Sequence, residues 1–298
     1  MSEQNVVRLR LDGTVSLHFE AAGTPKLLKN LSGCTVWKGF LWTVSDEGRT
    51  IECLAPFSSG YNNLVRSVSL DALFDDLSSK DHSDEIDLED IAASDGYLWV
   101  CDSHSRVRRS ADGRPTVQIK NGKSRRLLGR LKLDRNGGTF ARAERLPSDG
   151  DGGLRSILEA NEFLAPFAGL PSKEGGIDLE GITVGDQRVF VGLRGLVIDG
   201  KAIVAELFFT EQFRVRSTIL HFIDLQGLGI RDLEWSRGGL LLIAGPVGSA
   251  RVPFHIFRWS VKSAVAPERV FSFEPSIEKP EAPLCRGGRR RADDNGPL

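Results

Sequence analysis

The sequence predicts an all-β fold, a β-propeller of about six blades with one short helical insertion near residues 151–165 and an incomplete last blade. Two observations carry this. A hairpin phrase built around D-L-E recurs along the 298 residues, and its spacing fits the roughly 40–50 residues of a four-stranded blade. The composition, 40% hydrophobic and 27% charged, is that of a globular chain with a sizeable core.

The phrase first runs through residues 33–37, a turn at Lys38-Gly39 and residues 40–44. It returns at 89–93 with turn Asp95-Gly96 and strand 97–101, at 180–184 with a turn at 185–187 and strand 188–191, and at 232–236 with turn Gly238-Gly239 and strand 240–244. Each second segment is a short apolar run bounded by turn residues, which is how a strand buried on both faces reads. With Ser32 in the place of the motif glutamate, successive copies at Glu89, Glu180 and Glu234 lie 57, 91 and 54 residues apart, and a weaker echo at Glu281 follows 47 later. The 91-residue interval reads as two blades, the degenerate copy falling at 127–145.

Between blades, Leu154, Ile157, Leu158 and Phe163-Leu164 fall at helical spacing, with Asp149 or Asp151 available as N-cap and an end before Pro166. After Glu281 there is no apolar run from which to build a strand. The last blade is therefore expected to be incomplete, or patched by strands at 6–11 and 14–19. A single propeller domain should span 1–284 and a disordered tail 285–298.

Several function classes are set aside at this stage. The net charge of −1 gives no global pull toward polyanions, no apolar run approaches the roughly 18 residues of a membrane helix, and the N-terminus lacks a signal sequence. A cytoplasmic location is the expectation. Cys34, Cys53, Cys101 and Cys285 form no C-x-x-C pair, and the first three read as buried thiols. A basic run from Arg106 to Arg135 carries no interleaved aromatic, so it reads as solvated strand faces rather than a nucleic-acid groove.

Equivalent positions in successive blades stand at one height around the axis. Glu89, Glu180 and Glu234 should therefore ring one channel mouth, with Asp87, Asp178 and Asp232 two residues earlier. Hairpin geometry adds Asp46, Asp102, His104 and Arg194 as candidate ligand-binding residues. Clustered carboxylates raise one another's pKa, and three resolutions are open. Glu89, Glu180 and Glu234 could hold a hard cation such as Ca2+, Arg194 could pair with them, or each could accept backbone N–H groups from the next blade.

Glu85-Ile86-Asp87-Leu88-Glu89, Tyr97-Leu98-Trp99-Val100, Ser103-His104-Ser105, Leu170-Pro171-Ser172-Lys173, Gly176-Ile177-Asp178-Leu179-Glu180-Gly181 and Gly192-Leu193-Arg194-Gly195 together resemble the domain of unknown function 3616 family, over residues 31–281. Asp90 departs from it where glycine is expected, as does Leu196-Val197 where proline is usual. The resemblance implies a bacterial propeller-like domain with no assigned activity. The D-x-E-G phrase is also similar to phytase-like esterase propellers, which implies a calcium-dependent phosphoesterase. Two readings follow: a propeller that binds a small molecule or protein at an acidic channel mouth, or a metal-dependent esterase-like hydrolase using the same mouth.

Overall fold

The recurring hairpins form where the turn residues dictate. Lys38-Gly39 (φ 48° and 83°), Asp95-Gly96 (50° and 81°) and Asp186-Gln187 (49° and 61°) all place both central residues in the left-handed region. That is the two-residue turn whose twist matches antiparallel strands. The computed structural model describes residues 16–17, 30–57, 60–74, 86–134, 140–236, 238–248, 250–263, 265–274 and 280.

Four sheets result. The first holds β1 (Ser16–Leu17), β2 (Leu31–Trp37), β3 (Phe40–Ser45), β4 (Thr50–Phe57) and β5 (Gly60–Ser69). In the second, β6 (Leu88–Ser94) and β7 (Tyr97–Asp102) are followed by an excursion, the two-stranded ribbon β8 (Val107–Ala111) and β9 (Arg114–Lys120). The sheet is then completed by β10 (Leu128–Leu133) and β11 (Phe140–Arg145). Helix α1 (Leu154–Glu159) precedes the third sheet, β12 (Leu179–Gly185), β13 (Arg188–Ile198), β14 (Lys201–Phe209) and β15 (Val215–Ile223). The fourth is β16 (Gly229–Ser236), β17 (Gly239–Gly245), β18 (His255–Trp259) and β19 (Glu268–Ser272).

Strands β2, β6, β12 and β16 lie innermost, and residues from all four line one axial cavity of about 70 Å3. This is a propeller of four blades, not about six. The 91-residue interval conceals no extra blade: 127–145 forms β10 and β11, the outer strands of the second blade, with β10 paired to β7. The remainder is the ribbon and a helical segment over 154–174. The interval was long because of insertions, and spacing alone does not separate an insertion from a repeat.

The last blade is also complete, with four antiparallel strands ending at Ser272. Strand β1 runs parallel to β5 at the outer edge of the first blade, so the N-terminal strand patches a different sheet from the one expected. Glu281 and the tail 285–298 lie outside the described residues. Helix α1 stands where the sequence placed it, but its N-cap is Gly153, with no side-chain cap from Asp149 or Asp151.

In the first, second and fourth blades the second strand is the most buried: every residue of β17 is buried, as are all but the first of β3 and β7. Apolar clusters fill the seams, with Trp42, Ile51, Leu88 and Val100 between the first two blades, Trp99, Leu128, Leu179 and Val191 between the next two, and Phe190, Val204, Leu233 and Leu242 between the last two. Each such side chain contributes about 1.5–3 kcal/mol relative to an exposed one. No helix among the described residues is long and apolar enough to cross a membrane.

Candidate functional site

Each innermost strand breaks register at the same place. The ladder skips one residue between Leu31 and Gly33, Leu88 and Asp90, Leu179 and Gly181, and Ile230 and Asp232. Such a bulge re-aims the skipped side chain. The residues so presented, Ser32, Glu89, Glu180 and Arg231, form one layer at a channel mouth. The residues after them, Gly33, Asp90, Gly181 and Asp232, form the layer beneath.

The bulge corrects the predicted ring. Glu89 and Glu180 occupy equivalent positions, but the fourth blade contributes Arg231. Glu234 sits three residues further along, paired with Leu241 and lining the axial cavity with Thr183 and Thr35. The letters D-L-E in the fourth blade are out of step with those in the second and third. The apolar pair around each bulge, Leu88 and Ile91, Leu179 and Ile182, Ile230 and Leu233, would have fixed the alignment.

At the mouth, carboxyls meet arginines. Arg194 donates from Nη2 to Asp178 Oδ2 at 2.5 Å, and its Nη1 pairs with Glu180 Oε1. Arg231 Nε lies 3.3 Å from Glu180 Oε2. Asp87, held at φ 63°, accepts from Arg125 Nη1 at 2.6 Å and from the Ser103 hydroxyl. Backbone ladders set these positions: Arg194 N–H donates to Asp178 O at 2.9 Å, Ser103 N–H to Asp87 O at 3.1 Å, and Asp46 N–H to Asn30 O at 3.0 Å. Asp46 and Arg194 thus stand at equivalent places on their blades.

Glu89, by contrast, makes no ion pair among the described residues, although carboxylate oxygens of Glu89, Asp178 and Glu180 lie within 4.8 Å of one another. Burial pushes the Glu89 carboxyl well above the usual range, and Glu180, Asp87 and Asp178 add to the shift while Arg194 opposes it. Burial likewise lifts Asp178 to about 6 against the pull of Arg194. Burial works against the charge on Arg194, but Asp178, Glu180 and Glu89 outweigh it and raise its pKa. The grouping is not a ready-made cage for Ca2+, which takes six to eight oxygens, because a guanidinium already holds two of its three carboxyls.

Asp102 and His104 lie behind the mouth and are 0% and 2% exposed. Asp102 accepts from Leu127 N–H at 2.5 Å and His104 N–H at 3.1 Å, and burial raises its pKa well above the usual carboxyl value. Burial, aided by Arg155, pushes His104 down to about 3, so its ring is neutral, with Nε2 3.3 Å from Leu127 O. Arg155 of α1, itself 1% exposed, donates to His104 O at 2.5 Å, Ala168 O at 2.6 Å and Ile177 O at 3.3 Å. These groups are a buried polar brace, and the predicted ligand-binding faces of Asp102 and His104 point into protein. Sequence reasoning missed Arg125, Arg155 and Arg231, whose roles depend on contacts such as Arg125 with Asp87, 38 residues away, and Arg155 with His104, 51 away, and on a bulge that leaves no local signature.

A four-bladed propeller with an arginine–carboxyl mouth is the class the geometry defines. The family profile described as "Protein of unknown function (DUF3616)" matches residues 30–290, and the chain belongs to that family. No curated protein matches the sequence. Among solved structures it is similar to a Lactobacillus plantarum protein (12% identity, 82% of this chain and 55% of that one, TM-score 0.38). It is also similar to a plant lectin with two metal-binding sites from Cicer arietinum (9%, 79% and 89%, 0.36) and to the PQQ-bound aldose sugar dehydrogenase of Streptomyces coelicolor (12%, 80% and 80%, 0.34). At these scores the likenesses carry no statement about function.

Proposed function

We propose that this propeller is a ligand-binding protein whose recognition site is the mouth around Glu89 and Arg194, and that the group recognised there is cationic. One observation carries the reading. Four carboxyls, Asp87, Glu89, Asp178 and Glu180, share the mouth with three arginines, and Glu89 is the one with no guanidinium of its own among the described residues. Its neutral form holds a proton that a cation of higher affinity can replace. An ammonium or guanidinium group, on a small molecule or on a partner's side chain, supplies that charge without needing the six to eight oxygens of calcium.

The test is thermal denaturation with spermidine, calcium chloride and magnesium chloride, each against potassium chloride at matched ionic strength. Spermidine is expected to raise the Tm of the wild type and not of Glu89→Gln. The reading fails if no cation shifts the wild type beyond the salt control. The proximity of the Glu89, Asp178 and Glu180 oxygens supports a second reading, a metal-dependent phosphoesterase. A shift with calcium alone, accompanied by hydrolysis of p-nitrophenyl phosphate, would move the assignment there.

A further inference from the structure

The outermost strand of a propeller blade has a sheet neighbour on one side only, and its outer edge presents backbone N–H and C=O groups that can template another strand. Three of the four blades guard that edge. In the first, β5 carries β1 alongside it and breaks register twice against β4. In the second, β11 is six residues long, breaks register once against β10 and includes Arg142, Glu144 and Arg145. In the fourth, β19 is five residues long, breaks register once against β18 and includes Glu268 and Arg269. Short strands, bulges and charges are the ordinary protections of an exposed edge.

The third blade is built differently. Among the described residues its last strand, β15, has β14 on one side and no strand on the other. It is nine residues long, and its one lysine, arginine or acidic residue is Arg216. The single register break falls beside Arg216, after which Ser217 to Ile223 pair without interruption with Phe208 to Ala202. Both faces of this edge carry exposed apolar surface. On one, Ile219 is 48% exposed, while Ile223 joins the core toward the fourth blade and the His221 ring is held inward by Glu206 Oε2 at 2.7 Å. On the other, Leu220 and Phe222 pack against the core between the second and third blades, and Phe163, 51% exposed, meets the Phe222 ring at 5.2 Å.

We propose that β15 is the dimer interface of this protein: two copies pair their β15 edges antiparallel, joining two third blades into one eight-stranded sheet. The occupant follows from the strand itself. A partner selected by charge would find one cation to meet, Arg216, whereas a second β15 matches the edge in length and in its uncharged run from 217 to 223. Pairing one edge with its own copy is isologous, so it is antiparallel and closes at two chains, with no open edge left at the join. With the two-fold axis at Ile219, each Arg216 faces Phe222 of the other copy instead of a second guanidinium. The two Ile219 side chains then stand directly opposite each other on one face. Phe163 and Phe222 extend the apolar contact on the other. The join lies at the outer edge of a blade, apart from the axial mouth.

Sedimentation equilibrium over roughly 1–200 µM protein tests this, a range suited to an interface at the small end of the specific size classes. The weight-average mass of the wild type should rise from one chain toward two. Ile219→Lys sets two ammonium groups opposite each other at the join, and it should stay at one chain with a Tm within about 2 °C of wild type. A wild type that remains one chain throughout, or a dimer that survives Ile219→Lys, would overturn the proposal. Hydrogen exchange of the wild type tests it without relying on a variant. Amides of residues 217–223 should exchange at least about threefold more slowly at the top of that concentration range than at the bottom, while those of β11 and β19 keep one rate. Exchange at 217–223 that does not depend on concentration contradicts the pairing.

Discussion

The mouth and the layer one residue beneath it face the same electrostatic problem, and the problem is resolved differently in each. Both gather carboxyls from facing blades around a narrow axis. At the mouth, water and long side chains can reach, and Arg194, Arg231 and Arg125 neutralise Asp178, Glu180 and Asp87. Beneath it, where glycines stand at 33 and 181, Asp90 is met by backbone donors instead, from the N–H groups of Ile91 and Ile182. Glu89 stands between the regimes, in the layer of the arginines but, among the described residues, without an ion pair to one.

The largest expected effect comes from removing the guanidinium at the centre of the mouth. Arg194→Met strips Asp178 and Glu180 of their shared partner and should cost about 3–5 kcal/mol at pH 8, the loss typical of breaking a buried pair. Protons can then substitute for the arginine, so urea denaturation at pH 5 should recover much of that loss. An equal loss at both pH values would break the comparison.

The brace behind the mouth should titrate with the opposite sign. His104 is depressed to about 3 by burial and Arg155, so the unfolded chain takes up a proton that the native state refuses. Stability is then lost as the pH falls from about 6.5 toward 3, by a few kcal/mol on the scale of about 1.4 per pKa unit. His104→Gln should flatten that acid limb in a pH series of denaturation midpoints. An unchanged slope would show that His104 is already charged in the fold.

Glu89 supplies a smaller effect. Its folded pKa is raised, so its contribution is fully present below the usual carboxyl range and is lost as the pH rises through its folded value. Glu89→Gln needs no proton. Its unfolding free energy should equal that of the wild type at pH 4 and exceed it increasingly above, by at most about 1.4 kcal/mol per pH unit. A wild type that gains on this variant with rising pH would mean that Glu89 has a cationic partner already.

How much of this was legible depends on the range of the interaction. Turn residues such as Asp95-Gly96 act over four positions, and the apolar run 97–101 is buried because of its own composition, so hairpins and fold class could be read directly. Hairpin geometry put Arg194 near the carboxyls, but its pairing with Asp178 and Glu180 was one of three open resolutions and shows only in the fold. Blade number could not be read, because a ribbon at 107–120 and a helix at 154–159 lengthen one interval without adding a sheet. The bulge was likewise invisible in the letters: Asp232-Leu233-Glu234 copies the motif yet stands one bulge out of step, so Glu234 reaches the cavity and Arg231 the mouth. Asp90 looked like a departure from a glycine pattern, and a donor that holds its carboxyl, Ile182 N–H, lies in the next blade, 92 residues on.

The central claim, a mouth whose unpaired acid exchanges its proton for a ligand's cation, is tested most directly by titration calorimetry of spermidine at pH 7 in two buffers of different ionisation enthalpy. The wild type should release up to one proton per cationic group bound, and Glu89→Gln none. Binding with no buffer dependence in the wild type, or with the same proton release in both proteins, would contradict it.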